Sequence, residues 1–515
     1  MSAKVTFAEI SPSEFFYRNR DLAGFSNPAR ALYSASRELI ENSLDACESF
    51  GVLPDVYVRI TPADYNGGEG DPRAYLLRIQ DNGPGVEVKH VPNAFGRIFF
   101  GSKYTLRQSR GMFGMGGKMA MLYGQITTNR PVTIKTSTDG ATAHGFQLMI
   151  DIQQNVPIVL KRESSPADGF TGTLVETTLL GDYARASAKI QDYLKQTAMV
   201  TPYANITFID PFGNLFLYQR NTTSLPNPPR ETNPHPYGMD VEGLRRLLKQ
   251  TKEATMAKFM RNTFHRVGDR IARKFLDFAQ IKPDRDPKSL DNEETVKFAN
   301  ALHRYDNFLQ PDADCLSPLG ESLLKAGITK ELNPEFVTVA IRPPSAYSGF
   351  PFIVELALSY GGKTLSQGVK IYRFANRIPL LYDEASDVVW KVVNEEVDWK
   401  RYHIPAEAPI AIISHVCSTR IPYKTVGKEY LADRPELERE VKNALREALR
   451  RLTTFLSRKG SMEMVRRKKG IYAKYLPLIA RFATELSHAN RPPRYRRLLE
   501  EAEAIEGQRT LEEYR

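Results

Sequence analysis

Residues 108–118, QSRGMFGMGGK, constrain the fold more than any other stretch of the chain. Glycines at 111, 114, 116 and 117 permit the backbone turns and the close approach to a ligand that cradling a phosphate requires. Two phosphate loops are excluded by position. A Walker A loop needs glycine, any four residues, then Gly-Lys-Ser/Thr. Met112 stands where its first glycine should be, and Met119 where its hydroxyl should be. The dinucleotide fingerprint fails too, because the sixth position from Gly114 is Met119. What remains is Gly111-x-x-Gly114-x-Gly116, then a helical-looking AMLYG whose first N–H groups suit an anion. Taken alone, the run reads equally as a flexible turn.

Bulk properties narrow the class. At 515 residues the chain has room for about three domains, and 42% apolar with 25% charged residues describes an ordinary globular protein. No apolar run reaches transmembrane length, and MSAKVTFAEI is not a signal peptide. Cys47, Cys315 and Cys417 are far apart and form no CxxC, which argues against zinc and disulfides and for a reducing cytoplasm. A net charge of +11 leans toward a polyanionic partner, although a solvated basic face accounts for it equally.

The preceding segments add chemistry. Residues 27–49 read as a helix capped by Asn27, with Pro28 in its first turn and a buried stripe of Ala31, Leu32, Ala35 and Leu39. Another face carries Glu38, Glu41, Asn42 and Asp45; its bland reading is a solvated acidic face. Residues 55–61 and 74–81 read as strands. Asp81 continues the apolar face of Tyr75, Leu77 and Ile79 before the turn Asn82-Gly83-Pro84-Gly85. It is either a strand-ending residue or a carboxylate at the mouth of a pocket.

In order, Glu38-x-x-x-Asn42, Asp81-x-Gly83-x-Gly85, the glycine run and Gly172-Thr173 resemble the motif set of the GHKL (Bergerat) ATPases. The resemblance implies ATP and Mg²⁺ as ligands. It makes Glu38 the base that deprotonates the attacking water, Asn42 the Mg²⁺ ligand and Asp81 the acceptor for the adenine amine. Gly83 and Gly85 would pass close to the base. Gly111, Met112, Phe113, Gly114, Met115, Gly116, Gly117 and Lys118 would form a lid over the phosphates, with Ser102 and Thr173 nearby and Lys103 either reaching the phosphates or facing solvent. Phe95 is a wall of the adenine pocket or a core aromatic.

The rest of the chain decides between uses of such a domain. A hairpin at 205–220 and a proline-rich stretch at 221–238 end the first part. Basic helices follow to about residue 309, with Gly268 in a tight turn, loosely resembling a helix–two-turns–helix module; on composition alone they read equally as a small structural helical domain with solvated basic residues. Then come strands at PFIVELALSY and KIYRFANRIPLLY, a helix at SDVVWKVVNEEVDWK, a strand at PIAIISHVCS and a long helix from RPELERE. A strand–helix–strand order implies a crossover on one sheet. STRIPYKTVGKE, 418–429, reads by itself as a loop with a solvated lysine, but it resembles a transducer switch loop, which gives Lys428 the γ-phosphate as target.

This three-part order resembles the B subunits of type IIB DNA topoisomerases (topoisomerase VI). The fold implied is α+β: an ATPase α/β sandwich with an N-terminal strap (1–228), a helical insert (229–308), a transducer (309–470) and a basic helical extension (471–515). The function implied is an ATP-driven gate. B subunits would dimerise on ATP and pass double-stranded DNA through a break made by a separate A subunit carrying the catalytic tyrosine, as an A2B2 heterotetramer. Lys400 and Tyr402 are candidate DNA contacts, or the exposed end of a helix. The expected location is a prokaryotic cytoplasm, at the nucleoid. A MutL-like repair clamp is the alternative, a GHKL chaperone a weaker one, and a histidine kinase is disfavoured by motif order.

Overall fold

The computed structural model describes residues 9–63, 72–101, 105–111, 114–362, 365–424, 428–493 and 495. Ser102, Lys103, Met112 and Phe113 lie outside the described residues, as do residues 1–8 of the N-terminal region in which a strap is expected. The chain divides into a large unit (1–398 and 405–448) and a small one (399–404 and 449–515).

The large unit begins with α1 (Pro12–Arg18) and α2 (Pro28–Ser49). Asn27 Oδ1 accepts from the backbone N–H of Arg30 at 2.9 Å, closing the first turn of α2. Strands β1 (Asp55–Pro62) and β2 (Arg73–Gln80) pair antiparallel, followed by α3 (Val91–Gly96) and α4 (Gly116–Thr128). Next come β3 (Val132–Ser137), β4 (Thr142–Asp151), β5 (Val156–Pro166), β6 (Gly172–Gly181), α5 (Tyr183–Val200), β7 (Asn205–Ile209) and β8 (Leu215–Tyr218). The sheet order is β5-β4-β3-β6-β2-β1-β7-β8, antiparallel except for the β1–β7 pair. Leu32, Ala35 and Leu39 of α2 pack with Leu122 of α4, Leu194 of α5 and Leu77 and Ile79 of β2 in one core. Each such leucine contributes on the order of 1.5–3 kcal/mol by burial.

Next along the chain, α6 (Val241–Gln250), α7 (Met256–Thr263), α8 (Asp269–Phe278) and α9 (Asn292–Arg304) surround a core of their own that includes Leu244, Phe259, Phe275, Phe298 and Leu302. The expectation of a glycine turn at 268 is corrected: Gly268 is the extended N-cap of α8, and the left-handed residue is Arg266.

The chain continues through α10 (Gly320–Leu332) into a second sheet: β9 (Phe336–Ile341), β10 (Ser345–Tyr347), β11 (Phe350–Tyr360), β12 (Val369–Ala375), β13 (Ile378–Pro379) and β14 (Ile410–Ser418). The order is β10-β11-β14-β12-β13, with β9 also on β11. β12 and β14 pair in parallel, so the segment between them is the crossover its pattern implied. That segment is not the single helix expected. α11 (Val388–Lys391) widens at once into a π turn over Val392–Glu396, and Trp399–Tyr402 is a separate 3-10 turn. Met199, Val200 and Tyr203, at and beyond the end of α5, share a core with Leu323, Ile328, Ala357, Phe374 and Ile413, so the second sheet grows directly from the first domain. The helix α12 (Pro435–Leu486) begins in the large unit and continues in the small one, passing through Pro477.

Candidate functional site

The polar face of α2 is not solvated. Glu38, Glu41 and Arg37 are 8%, 2% and 6% exposed, while Asn42 is the exposed residue of that face. Burying unpaired charge is costly, and the partner comes from 390 residues away. Lys428 Nζ lies 3.4 Å from Glu38 Oε1 and 3.4 Å from Glu41 Oε2. Arg37 completes the set, 2.8 Å from Glu38 Oε1 and 3.5 Å from Glu41 Oε1. Two cations face two carboxylates. The next residue, Glu429, pairs with Arg30 at the start of α2. The loop therefore docks on one helix at two points, with Lys428 itself at φ 56°, a strained backbone for a lysine.

The electrostatics split the two carboxyls. Burial raises the pKa of Glu38, but Lys428 and Arg37 override it and hold it down to about 2. Burial wins at Glu41, where Glu38 adds repulsion, and its pKa is raised. Burial lowers that of Lys428, but the two carboxylates outweigh this and keep it above the usual lysine value.

The end of the glycine run lies against the same helix. A side chain at Gly116 would overlap the Glu38 carboxylate, and a Cβ at Gly117 would stand 2.9 Å from Asn42 Nδ2. The first turn of α4 thus lies on the Glu38–Asn42 face only because both residues lack a Cβ. Met115 is the N-cap residue of α4 and packs on the core. Gly114 takes φ 59° with open space around it, and the Gly111 carbonyl accepts from Ser109 Oγ at 2.8 Å. Lys118 is buried and donates to the carbonyls of Phe100 and of Gly114, the latter at 3.1 Å. It pins the run from within.

Asp81 sits just past β2. Its Oδ1 accepts from the N–H groups of Gly83 (3.0 Å) and Thr173 (3.1 Å). Burial raises its pKa, against the bonds from Ser43, Gly83 and Thr173. Gly85, at φ 71°, lies so close to the Ser137 carbonyl that a Cβ would strike it. Thr136 on β3 ties the turn down: its Oγ1 accepts from Val86 N at 2.9 Å and meets Thr173 Oγ1 at 3.3 Å. Phe95, on α3, is half-buried against the main core. Lys400 and Tyr402 belong to the small unit, Lys400 exposed and Tyr402 half-buried. Sequence reasoning gave no role to Arg37, Glu41 or Thr136. Arg37 and Glu41 were detectable as neighbours on one helical face; Thr136 carried no local signal.

Among the described residues one further cluster has metal-type side chains, the buried Glu355, His415 and Cys417. His415 Nε2 accepts from the N–H of Arg377 at 3.0 Å, so its proton is on Nδ1 and goes to Glu355 Oε2 at 2.7 Å. Glu355 also accepts from Leu319 N and Gly320 N at 3.0 and 2.6 Å. These atoms are engaged within the protein, as a strut under β11 and β14.

Comparison with known proteins decides the lineage. The family model "Topoisomerase VI B subunit, transducer" matches residues 311–468. The chain is 44% identical over 498 residues to the B subunit of type 2 DNA topoisomerase 6 from Saccharolobus shibatae, covering 95% of this chain and 93% of that one. The chain belongs to the topoisomerase VI B-subunit family. The corresponding protein of Metallosphaera sedula is 44% identical over 486 residues, covering 93% of this chain and 90% of its own. Among solved structures, the ATPase region of Saccharomyces cerevisiae topoisomerase II aligns over 89% of this chain and 100% of that one, at 10% identity and a TM-score of 0.39. That likeness adds nothing to the sequence relationship. No described helix is long and apolar enough to cross a membrane.

Proposed function

We propose that this topoisomerase VI B-family chain binds and hydrolyses ATP and uses it to gate the passage of double-stranded DNA through a break held by a separate A subunit. The observation that carries this reading is the contact of Lys428 with Glu38: a loop leaving the second sheet ends on the carboxylate proposed as base.

Glu38 is ionised at neutral pH, yet a carboxylate with a pKa near 2 is a feeble base. The phosphates of ATP attract the same lysine. As Lys428 turns to them, Glu38 loses its strongest cation and gains basicity beside the attacking water. Binding and chemistry are then linked through one side chain, and release of phosphate returns Lys428 to Glu38 and Glu41. Asp81, buried and anchored by two backbone N–H groups, accepts from the adenine amine. Gly116 and Gly117 bring the N-terminus of α4 against this site, where its free N–H groups favour phosphate. Asn42 fits a Mg²⁺ ligand: it is exposed, one helical turn from Glu38, and its amide offers oxygen to a hard cation. Mg²⁺ held there would neutralise phosphate charge.

The parts divide the work as ATPase (1–228), helical insert (229–308), transducer (309–470) and extension (471–515), with ATP-driven pairing of B subunits in an A2B2 assembly. The insert supports a DNA-facing role through a cleft of ≈ 790 Å³ lined by Arg261, Arg266, Arg270 and Lys274 among others. Lys400 and Tyr402 remain candidate contacts to phosphate and sugar.

The test is relaxation of supercoiled plasmid by the chain with its A subunit, ATP and Mg²⁺. Relaxation that needs ATP, the A subunit and Glu38 is expected. ATP-dependent DNA binding with no change of linking number overturns the reading in favour of a repair clamp.

A further inference from the structure

The motif FANRIP, residues 374–379 of the second sheet, has no part in the site described so far, yet it touches both loops that serve it. Asn376 and Arg377 are the two central residues of the β12–β13 hairpin, both left-handed at φ 47° and 66°, and both 4% exposed. Asn376 Nδ2 donates to the carbonyl of Ser109 at 3.1 Å and to that of Ser418 at 2.9 Å. Its Oδ1 accepts from Ser418 N at 3.0 Å. Ser109 is the last residue but one before Gly111, where the glycine run begins. Ser418 ends β14, where the loop to Lys428 begins. One buried amide therefore holds the root of the phosphate lid and the root of the switch loop together.

Arg377 fixes the same junction to α2. Its guanidinium is 2.7 Å from Glu48 Oε2 and donates to the Ser317 carbonyl at 2.7 Å. Glu48 is paired on its other side with Arg110, at 2.7 Å, one residue before Gly111. The lid root thus has no freedom to move without disturbing Asn376, Arg377 or Glu48. A carboxamide is suited to the junction, since it gives a donor to two carbonyls and an acceptor to one N–H at once. No other residue both tolerates a left-handed backbone and supplies that set as readily.

We infer that Asn376 is the positioning residue that couples the lid to the switch loop, so that a shift of one on nucleotide binding is passed to the transducer through the Ser109–Asn376–Ser418 bridge. This coupling rests on the ATP reading of the site. It acts through Ser109 and Ser418.

The experiment is amide hydrogen exchange on the full chain, with and without Mg²⁺ and a non-hydrolysable ATP analogue, nucleotide binding being measured on the same samples. In the wild type, protection at 109–111 and at 418–420 should change together across one titration. In Asn376→Gly, which keeps the left-handed turn and deletes the amide, the lid root should still respond and 418–420 should not. In the holoenzyme, linking-number change per ATP hydrolysed should fall about tenfold, a middling value for coupling between sites, with KM for ATP unchanged. A merely structural role would instead lower hydrolysis and relaxation in proportion. Asn376→Asp, which retains the acceptor but turns a carboxylate oxygen to two carbonyls, serves if the glycine variant does not fold, and should uncouple in the same way. Binding of the analogue with 418–420 unresponsive in the wild type, or responsive in either variant, overturns the coupling alone. No binding at all overturns both the coupling and the ATP reading.

Discussion

Lys428 and the carboxylates beneath it are where residue chemistry is easiest to put at risk. Glu38 has a pKa lowered from 4.5 to about 2, so its favourable contribution is complete above pH 4.5 and is lost as pH falls toward 2. Glu41 has a raised pKa and opposes folding as it ionises, so its contribution is lost as pH rises through that value. Removing Lys428 takes away one of the two cations that contact both carboxylates and leaves Arg37 alone with them. Lys428→Met should therefore lower the thermal midpoint most at neutral pH, and the deficit should shrink as acid protonates both groups. Melting curves at about pH 7.5, 4.5 and 3 would check it, because Glu38 protonates only below 4.5, and a deficit equal at the two ends of that series would refute the pairing. The motifs that carry Glu38, Asn42 and Asp81 were legible because they are local, each within one turn of helix or one strand end. Arg37 and Glu41 were visible as letters and not as partners. Their meaning depends on a lysine nearly four hundred positions away, and no spacing rule spans that distance.

Elements position this chemistry by close approach. α4 can begin on the face of Glu38 and Asn42 because Gly116 and Gly117 have no side chains there. Gly116→Ala should lower turnover at least tenfold, of the order expected for misplacing a general base, and lower the thermal midpoint as well, because the added methyl displaces the buried Glu38 carboxylate from Lys428 and Arg37. Unaltered steady-state hydrolysis would show that the α4–α2 approach is not needed. Gly172 is constrained differently. It takes φ 123°, and a Cβ there would strike the Asp81 carbonyl, so Gly172→Ala should cost on the order of 1–3 kcal/mol and weaken nucleotide binding. A calorimetric melt with a nucleotide titration would check both. The long amphipathic helices and the alternating strands were readable from period alone. The sequence did not disclose the π turn at 392–396 in place of a helix, because the pattern VVWKVV suits either winding. Nor did it disclose that the loop 376–377 reaches the first domain, since a hairpin turn reads the same whether it is exposed or buried.

At the scale of the whole molecule, charge and connectivity carry the argument. The net charge of +11 is concentrated in part on the insert, where Arg261, Arg266, Arg270 and Lys274 border one cleft. Arg261 and Arg266 already have acidic neighbours, Asp269 and Asp312, at 3.3 and 3.9 Å, but exposed pairs of that kind are weak and yield readily to phosphate. Binding to duplex DNA should fall steeply with salt, and Arg270→Ala with Lys274→Ala should flatten the log–log slope by roughly 0.9 for each phosphate that the variant no longer neutralises. An anisotropy titration at several salt concentrations reads this, and a slope unchanged in the double variant would move the DNA path elsewhere. The central claim concerns how ATP is used, and it is tested most directly by Glu38→Gln. Hydrolysis and nucleotide-driven self-association should be measured side by side for that variant and the wild type. If Glu38 is the base, turnover falls by about 10²- to 10⁴-fold while Mg²⁺-ATP still drives the variant into dimers. Turnover at the wild-type rate, or loss of nucleotide binding along with turnover, would contradict it.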